Sequence, residues 1–192
     1  MLLSIVMLTI PERKKRFEVL KKKVQKQIDF IRKYHLHECE IVEVNSKKLT
    51  DGGKSIGAKR QKGLELSKGK YVCWLDDDDD IAPNYIQELT RLAVMGADVC
   101  TFSSFCMLND YFMIAEMKLE HEIDEDARQG IIKRRPYQVC AFKKELLTNA
   151  KFPDTNWEED VEFINAALPN CKSSAHSEAI LHVYRRVEKS YA

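Results

Sequence analysis

Five consecutive aspartates, Asp76 to Asp80, follow an apolar segment in the stretch YVCWLDDDDDIAP. Adjacent carboxylates repel one another, so the run lowers stability unless a cation lies beside it. Apolar residues flank the run on both sides, which places it close to the protein core and disfavours a simple solvated acidic turn. The first question that the sequence raises is therefore which cation the aspartates hold.

A calcium loop of the EF-hand type does not fit the run. A loop that starts at Asp76 would need glycine at its sixth position and glutamate at its twelfth, where the chain has Ile81 and Gln87. A second interpretation is a magnesium or manganese ion that binds a diphosphate, because these hard cations combine one or two carboxylates with substrate phosphates. Asp76 and Asp78, two residues apart at a strand end, could face one side and share that ion.

The front of the chain alternates apolar runs with amphipathic segments. We expect strands at 2–9, 39–45 and 70–75, and helices at 11–31, 55–68 and 83–95. The order β-α-β-α-β-α-β predicts an α/β fold with a Rossmann-type, mostly parallel central sheet and helices on both faces. Ligands of such sheets bind at the carboxyl ends of the strands. The aspartates begin at the end of the third strand, which makes them a candidate site.

The second half of the chain is less regular. We expect strands at 97–105, 111–117, 137–142 and 179–185, and helices at 143–149 and 158–168. A polar, irregular loop is expected at 119–135, with turns at 51–54 and 109–110.

The balance of charge excludes a strongly basic or acidic protein, because 31 Lys and Arg residues face 30 Asp and Glu residues. The first helix is nevertheless rich in lysine and arginine on its polar faces. No aromatic residues interleave with these charges, so we expect no nucleic-acid binding. The basic face is either solvated or a contact surface for an anionic membrane.

Six cysteines lie mostly inside apolar runs and form no CxxC pair, which predicts reduced thiols in the core. The apolar opening MLLSIVMLTI is too short for a transmembrane helix and lacks the basic start of a secretory signal. We therefore expect a cytoplasmic protein whose first strand is this opening segment.

Three segments, taken in order, resemble family 2 of the inverting, nucleotide-sugar-dependent glycosyltransferases with the GT-A fold. The main one is SIGAKRQKGLELSKGKYVCWLDDDDDIAPNYIQEL, at 55–89. LSIVMLTIPER is similar to the first strand and turn of that family, and VCAFKKELLTNAKFPDTNWEEDVEF is similar to the segment that ends in its acidic pair. The compact chain also resembles transferases of large algal DNA viruses, which would place it in the host cytoplasm.

The resemblance implies a metal site for Mn²⁺ or Mg²⁺. Asp76 and Asp78 match the two aspartates of the DXD motif, in which the last is the direct metal ligand and the first faces both nucleotide and metal. Many members complete the metal shell with a late histidine, at a position where this chain has Val187. His182 is the candidate substitute.

The resemblance also assigns nucleotide contacts. Thr9, Pro11 and Glu12 fall where the base and ribose are held, and Arg60 falls where the family contacts the nucleotide. Asp77, between the two motif aspartates, joins this group.

Asn45 replaces an aspartate that reads the pyrimidine ring in the family. An asparagine can still form hydrogen bonds with uracil, so a UDP-sugar is the expected donor.

Asp160 matches the catalytic base of the family, and the adjacent Glu159 is the alternative. Successive residues of a helix point about 100° apart, so only one of the two carboxylates is expected to reach the site. A base that deprotonates the acceptor hydroxyl, without a covalent intermediate, predicts inversion at the sugar C1 atom.

The sequence thus predicts a metal-dependent glycosyltransferase that acts on a carbohydrate or glycoconjugate hydroxyl. We expect a single domain over 1–192, with a nucleotide-binding half at 1–100 and an acceptor-side half at 101–192, either complete or cut from a longer chain. One alternative is a sugar-nucleotide pyrophosphorylase, although LTIPERKKR lacks the glycines of its phosphate loop. Another is a non-catalytic module that binds a nucleotide or a divalent metal.

Overall fold

The computed structural model of the protein describes residues 1–34, 37–45, 55–108, 111–122 and 130–186. Within these ranges the chain forms nine strands and four α-helices. The strands are β1 (Leu3–Thr9), β2 (Cys39–Asn45), β3 (Tyr71–Leu75), β4 (Asp80–Ile81), β5 (Val99–Leu108), β6 (Tyr111–Met117), β7 (Ile131–Arg134), β8 (Ala141–Lys143) and β9 (Ser174–Arg186). The helices are α1 (Lys14–Tyr34), α2 (Ile56–Leu66), α3 (Tyr85–Val94) and α4 (Glu159–Ala167).

Strand β1 lies between β2 and β3 and is parallel to both. All of its residues are buried, as expected for a central strand that is covered on both faces. At the carboxyl ends of these strands Thr9 lies opposite Asn45, and β3 ends at Leu75, directly before the aspartates. The predicted parallel front of the sheet is confirmed.

The rest of the sheet is mixed. Strand β8 is antiparallel to both β3 and β5, so β5 runs in the same direction as the front strands but is separated from them. Strand β6 is antiparallel to β5, whereas β9 is parallel to β5 and β7 is parallel to β6. The α/β class is therefore confirmed, while the sheet is less parallel than predicted because β8 inserts into it from far along the chain.

Helices cover both faces of the sheet. Trp74 points to the face that carries α2 and α4, where its ring centroid lies 5.2 Å from that of Phe163. Cys73, the preceding residue, points to the opposite face, where the hydroxyl of Tyr85 in α3 lies 3.6 Å from its sulfur. Helix α1 packs beside α3.

The first helix buries the stripe that its spacing predicts. A one-turn 3₁₀ helix begins at Pro11 and leads into α1, whose buried residues are Phe17, Leu20, Val24, Ile28 and Ile31. The prediction of core thiols is also confirmed, because all six cysteines are unpaired and buried.

Several predicted boundaries differ from the structure. The expected loop at 119–135 contains strand β7, and the expected strand at 137–142 is reduced to β8 because a turn precedes it. The expected helix at 143–149 is a 3₁₀ turn, Lys144–Leu147, and the last strand starts earlier than expected, at Ser174. The predicted turns at 51–54 and 109–110 lie outside the described residues, as does Val187.

Candidate active site

Every aspartate of the run contacts a basic side chain from another part of the chain. The partners come from the turn before α1, from α1 itself, from α2 and from β9. The pairs are Asp76 with Arg60, Asp77 and Asp78 with Arg13, Asp79 with His182, and Asp80 with Lys23 and Arg185. In the free protein, side chains of the chain itself therefore offset the repulsion between the carboxylates.

Arg13 binds the two central aspartates. Its Nη1 donates hydrogen bonds to Oδ1 of Asp77 at 2.9 Å and to Oδ2 of Asp78 at 3.0 Å. The hydrogen bond to Asp77 is the main reason why the pKa of Arg13 is raised. Asp77 is almost fully buried, whereas 35% of the Asp78 side chain is exposed. The sequence pattern does not single out Arg13, whose one signal is its place in the turn after β1.

His182 lies in β9, with only 3% of its side chain exposed. Its Nε2 is 3.2 Å from Oδ1 of Asp79, and its Nδ1 is 3.0 Å from the hydroxyl of Ser104. Asp79 in turn accepts a hydrogen bond from the backbone N–H of Asp76. His182 therefore lies against the aspartate run, but its buried Nε2 forms no hydrogen bond with the described residues, so the metal role of His182 stays a prediction.

Arg60 links the end of β3 to the start of α4. Its Nη2 donates to Oδ2 of Asp76 at 2.8 Å, and its Nη1 donates to Oε1 of Glu159. Only 4% of the Arg60 side chain is exposed. Because both ends of the guanidinium already bind carboxylates, the structure favours a positioning role for Arg60 over direct nucleotide contact.

The two candidate bases have different environments. Glu159 is buried against Arg60, whereas Asp160 is half-buried and accepts a hydrogen bond from the backbone N–H of Val161 at 2.9 Å. Within the described part of the chain the Asp160 carboxylate forms no ion pair. The chain enters α4 through Glu158, whose φ of 60° is uncommon for a residue other than glycine. Such strained residues concentrate at functional sites.

A pocket of about 1180 Å³ opens in front of the aspartates, at the carboxyl ends of β1 and β3. This volume suits a ligand of nucleotide size. Its walls come from the end of β1, the first half of α1, the start of α2, the loop before α4 and the end of β9. The lining residues are Leu8, Thr9, Ile10, Arg13, Lys15, Arg16, Val19, Leu20, Lys23, Ile56, Lys59, Asp76 to Asp80, Asn156, Trp157, Tyr184 and Arg185.

The predicted nucleotide contacts are only partly brought together. Thr9 lines the pocket, and Asn45 lies beside it in the sheet register without forming part of the wall. Pro11 and Glu12 are exposed and line a separate groove along α1. Asp160 follows the loop whose residue Trp157 lines the pocket, but Asp160 itself lies outside the lining.

Asp76 and Asp78 have the properties of ligands for a divalent cation. About one third of each side chain is exposed, and both lie in the pocket wall. Burial, reinforced by neighbouring aspartates, raises the pKa of Asp76 to about 6 and also raises the pKa of Asp78. A hard divalent cation would favour the ionised forms and remove the repulsion between them. The residues present therefore fit Mn²⁺ or Mg²⁺.

A second group of metal-binding side chains lies outside the pocket, on β6 and β9. Ligand atoms of Glu116, His176 and Glu178 lie within 4.8 Å of one another. The ammonium of Lys118 is 2.9 Å from Glu116 and 3.9 Å from Glu178. These three side chains are not part of the pocket lining, so the aspartate run is the better candidate.

The basic face of α1 is partly explained by the pocket, since Lys15, Arg16 and Lys23 line it beside Arg13. Among the described residues, none of the helices combines the length and the apolar character that a membrane span requires. Contact between α1 and a membrane surface stays a prediction from the sequence.

Comparison with solved structures identifies the fold. The chain matches residues 1–349 of S. aureus TarS with a TM-score of 0.66 and 14% identity, over 96% of this chain and 60% of that fragment. It matches the same fragment in complex with UDP-GlcNAc with a TM-score of 0.65 and 14% identity, over the whole of this chain and 60% of the fragment. These likenesses show the GT-A fold that the sequence predicts.

A third solved structure extends the comparison. Glucosyl-3-phosphoglycerate synthase from Mycobacterium tuberculosis, in complex with Mn²⁺, UDP-glucose and phosphoglyceric acid, matches with a TM-score of 0.59 and 13% identity. The match covers 97% of this chain and 72% of the synthase.

Sequence comparison identifies the family. EpsH of Bacillus subtilis (strain 168), which is assigned as a glycosyltransferase, is 33% identical over 51 residues. The aligned part is 26% of this chain, and it spans 15% of EpsH. The profile of Glycosyl transferase family 2 matches residues 46–147, slightly more than half of the chain, and this segment includes α2, β3 and the aspartate run. The chain therefore belongs to glycosyl transferase family 2.

Proposed function

We propose that the protein transfers a sugar from a nucleoside diphosphate sugar, most simply a UDP-sugar, to an acceptor hydroxyl. The observation that carries the proposal is the pocket at the carboxyl ends of β1 and β3, in which Asp76 and Asp78 are exposed beside buried aspartates. Two structural neighbours were solved with UDP-sugars, one of them together with Mn²⁺. Their ligands support a UDP-sugar and a divalent metal here as well.

Asp76 and Asp78 would hold the metal ion, and Thr9 and Asp77 would line the nucleotide part of the pocket. A bound Mn²⁺ or Mg²⁺ supplies electrostatic stabilisation of the departing diphosphate. Arg60 keeps Asp76 in place through its 2.8 Å hydrogen bond. The end of β3 and the start of α4 are thereby held in a fixed relation.

Asp160 is the proposed general base. It takes the proton of the acceptor hydroxyl while the acceptor oxygen forms a bond to C1 of the sugar. The bond from C1 to the phosphate oxygen breaks, and its electron pair leaves with the diphosphate. Attack from the face opposite the leaving group inverts the configuration at C1. Glu159 is a poor alternative, because Arg60 holds its carboxylate in the core.

A preference for uridine would depend on Asn45, which lies at the end of β2, opposite Thr9. An asparagine amide can both donate and accept hydrogen bonds with a pyrimidine.

The proposal is tested by measuring nucleotide release from UDP-, GDP- and CMP-sugars, with Mn²⁺ or with EDTA. We expect release of UDP that requires metal and that is lost in Asp78→Asn. NMR of the released or transferred sugar should show inverted configuration at C1. Equal release with EDTA would remove the metal from the proposal, and the absence of release from every donor would contradict transferase activity.

A further inference from the structure

Lys59 is a buried cation in the wall of the pocket. It lies in the first turns of α2, a helix that begins after Ser55, whose hydroxyl accepts a hydrogen bond from the N–H of Ala58. Only 5% of Lys59 is exposed, and that exposed part belongs to the pocket lining. A lysine is rarely buried to this extent unless its ammonium has a partner.

Within the described residues the Lys59 ammonium has no such partner. It forms neither a hydrogen bond nor an ion pair with them, whereas its neighbour Arg60 binds two carboxylates. Asp76 and Asp77 attract Lys59 over a longer distance, but their oxygens bind Arg60 and Arg13. Burial lowers the pKa of Lys59, and this attraction opposes the effect.

An unpaired ammonium in a nearly buried position is unfavourable for folding. It becomes favourable when an anion enters the same pocket, because the low-dielectric surroundings strengthen the attraction. Among the other cations of the pocket wall, Arg13 and Lys23 are engaged by Asp77, Asp78 and Asp80, while Lys15 and Arg16 are exposed and do not carry the cost of burial.

We propose that Lys59 is a phosphate-binding residue, whose ammonium contacts the diphosphate of the nucleotide donor. This inference rests on the proposed function, because it takes the ligand of the pocket to be a nucleoside diphosphate. Lys59 and the metal site would then bind the diphosphate from two sides. Lys59 would contact only the phosphates and not the nucleoside.

The test compares calorimetric binding of UDP, UMP and uridine, with Mn²⁺ present, to the wild-type protein and to Lys59→Met. We expect at least tenfold weaker binding of UDP, weaker binding of UMP and unchanged binding of uridine. Lys62→Met is the matched control, because Lys62 lies on the same helix, 47% exposed and paired with Glu65. It should bind all three ligands like the wild type.

Thermal unfolding of the unliganded variants separates binding from folding. Lys59→Met should melt at the same temperature as the wild type or higher, and the polar variant Lys59→Gln should also bind UDP weakly. A lower melting temperature of Lys59→Met, or an equal loss of uridine binding, would assign Lys59 a structural role and overturn the inference. Unchanged UDP binding by Lys59→Met would overturn only the inference about Lys59. A wild-type protein that binds no UDP would overturn the proposed function as well.

Discussion

Nη1 of Arg13 donates a hydrogen bond to Oδ2 of Asp78 at 3.0 Å, so that a side chain of the protein covers the carboxylate proposed to bind the metal. Arg13 is half exposed, and it can swing away when a divalent cation arrives. Arginine and metal therefore compete for Asp78. We therefore expect the affinity for the metal to rise when Arg13 is removed.

We expect Arg13→Gln to bind Mn²⁺ about three- to fivefold more tightly than the wild type in the absence of nucleotide. The reason is that the metal must break the ion pair between Arg13 and Asp78 in the wild type. A partly exposed ion pair of this kind contributes up to about 1 kcal/mol, and Arg13→Gln removes it. Titration of Mn²⁺ followed by electron paramagnetic resonance measures this affinity. Arg16→Gln, which removes the same charge from the same pocket, is the control. Weaker Mn²⁺ binding by Arg13→Gln would show that Arg13 supports the site instead of competing for it.

Substitutions of the adjacent residues Glu159 and Asp160 should have different effects, one on stability and the other on activity. Glu159→Gln leaves Arg60 with a weakened buried partner, and we expect a loss of roughly 3 kcal/mol in the free energy of unfolding. Asp160→Asn should change stability by less than about 0.5 kcal/mol. It should lower the rate of sugar transfer by roughly 10²- to 10⁴-fold, because the general base is lost.

Urea denaturation and UDP release, measured on both variants, check this assignment. Full transfer activity in Asp160→Asn would exclude it as the base. A stable but inactive Glu159→Gln would instead move the base to Glu159.

The carboxyl group of Asp76 predicts a dependence of stability on pH. Burial raises its pKa in the folded protein to about 6, while an unfolded chain has an ordinary aspartate value of about 4. Between about pH 4 and 6 the carboxyl group of Asp76 therefore keeps its proton in the folded protein and loses it in the unfolded chain. Through this group, stability is greatest below about pH 4 and falls as the pH rises to 6.

Asp76→Asn cannot ionise, so its stability relative to the wild type should increase from about pH 4 to 6 and then level off. Urea unfolding in EDTA, repeated across this range, measures the difference. A difference that does not vary with pH would mean that Asp76 has an ordinary pKa in the folded protein.

Helix α2 packs closely against the loop before α4 at Gly57, and this contact fixes the position of the helix. A Cβ atom there would lie 1.8 Å from the carbonyl oxygen of Pro153, and the Gly57 N–H donates to the carbonyl of Thr155 at 3.0 Å. The obstacle is backbone, which cannot rotate away. We therefore expect Gly57→Ala to destabilise the protein by roughly 1–3 kcal/mol.

Because α2 carries Lys59 and Arg60, the same substitution should weaken UDP binding. Lys62→Ala, an exposed change on α2, should affect neither property. An unchanged unfolding midpoint for Gly57→Ala would show that α2 and the loop before α4 move apart at little cost.

Local patterns were sufficient for the front of the fold. The stripe from Phe17 to Ile31 predicts α1, and the apolar runs before Thr9 and Asp76 predict β1 and β3. The short strand β8 was misjudged, because its extent depends on pairing with β3 and β5, which are far away in sequence. Strand β7 was missed because its four residues, IIKR, are too few to show a strand pattern, and its pairing partner β6 precedes it by more than ten residues.

The candidate site shows the same limit. The spacing of Asp76 and Asp78 predicted a metal site, and the resemblance to the family pointed to the acidic pair. Spacing could not reveal that Arg13 covers Asp78, or that Lys59 is buried with no ion pair to the described residues. Both facts depend on how α1 and α2 pack around the strand ends. It also could not decide between Glu159 and Asp160, which the structure distinguishes by their burial and by the contact of Glu159 with Arg60.

A metal–diphosphate site at the aspartate run is best tested by calorimetric titration of UDP into the wild-type protein and Asp78→Asn, each with Mn²⁺ and with EDTA, with GDP and CMP as controls. We expect the wild type to bind UDP in the presence of Mn²⁺, much more weakly in EDTA, and in preference to GDP and CMP. Asp78→Asn should lose the metal-dependent part of the binding. UDP binding that is equal in all four combinations, or absent from all of them, would contradict a metal–diphosphate site at the aspartate run.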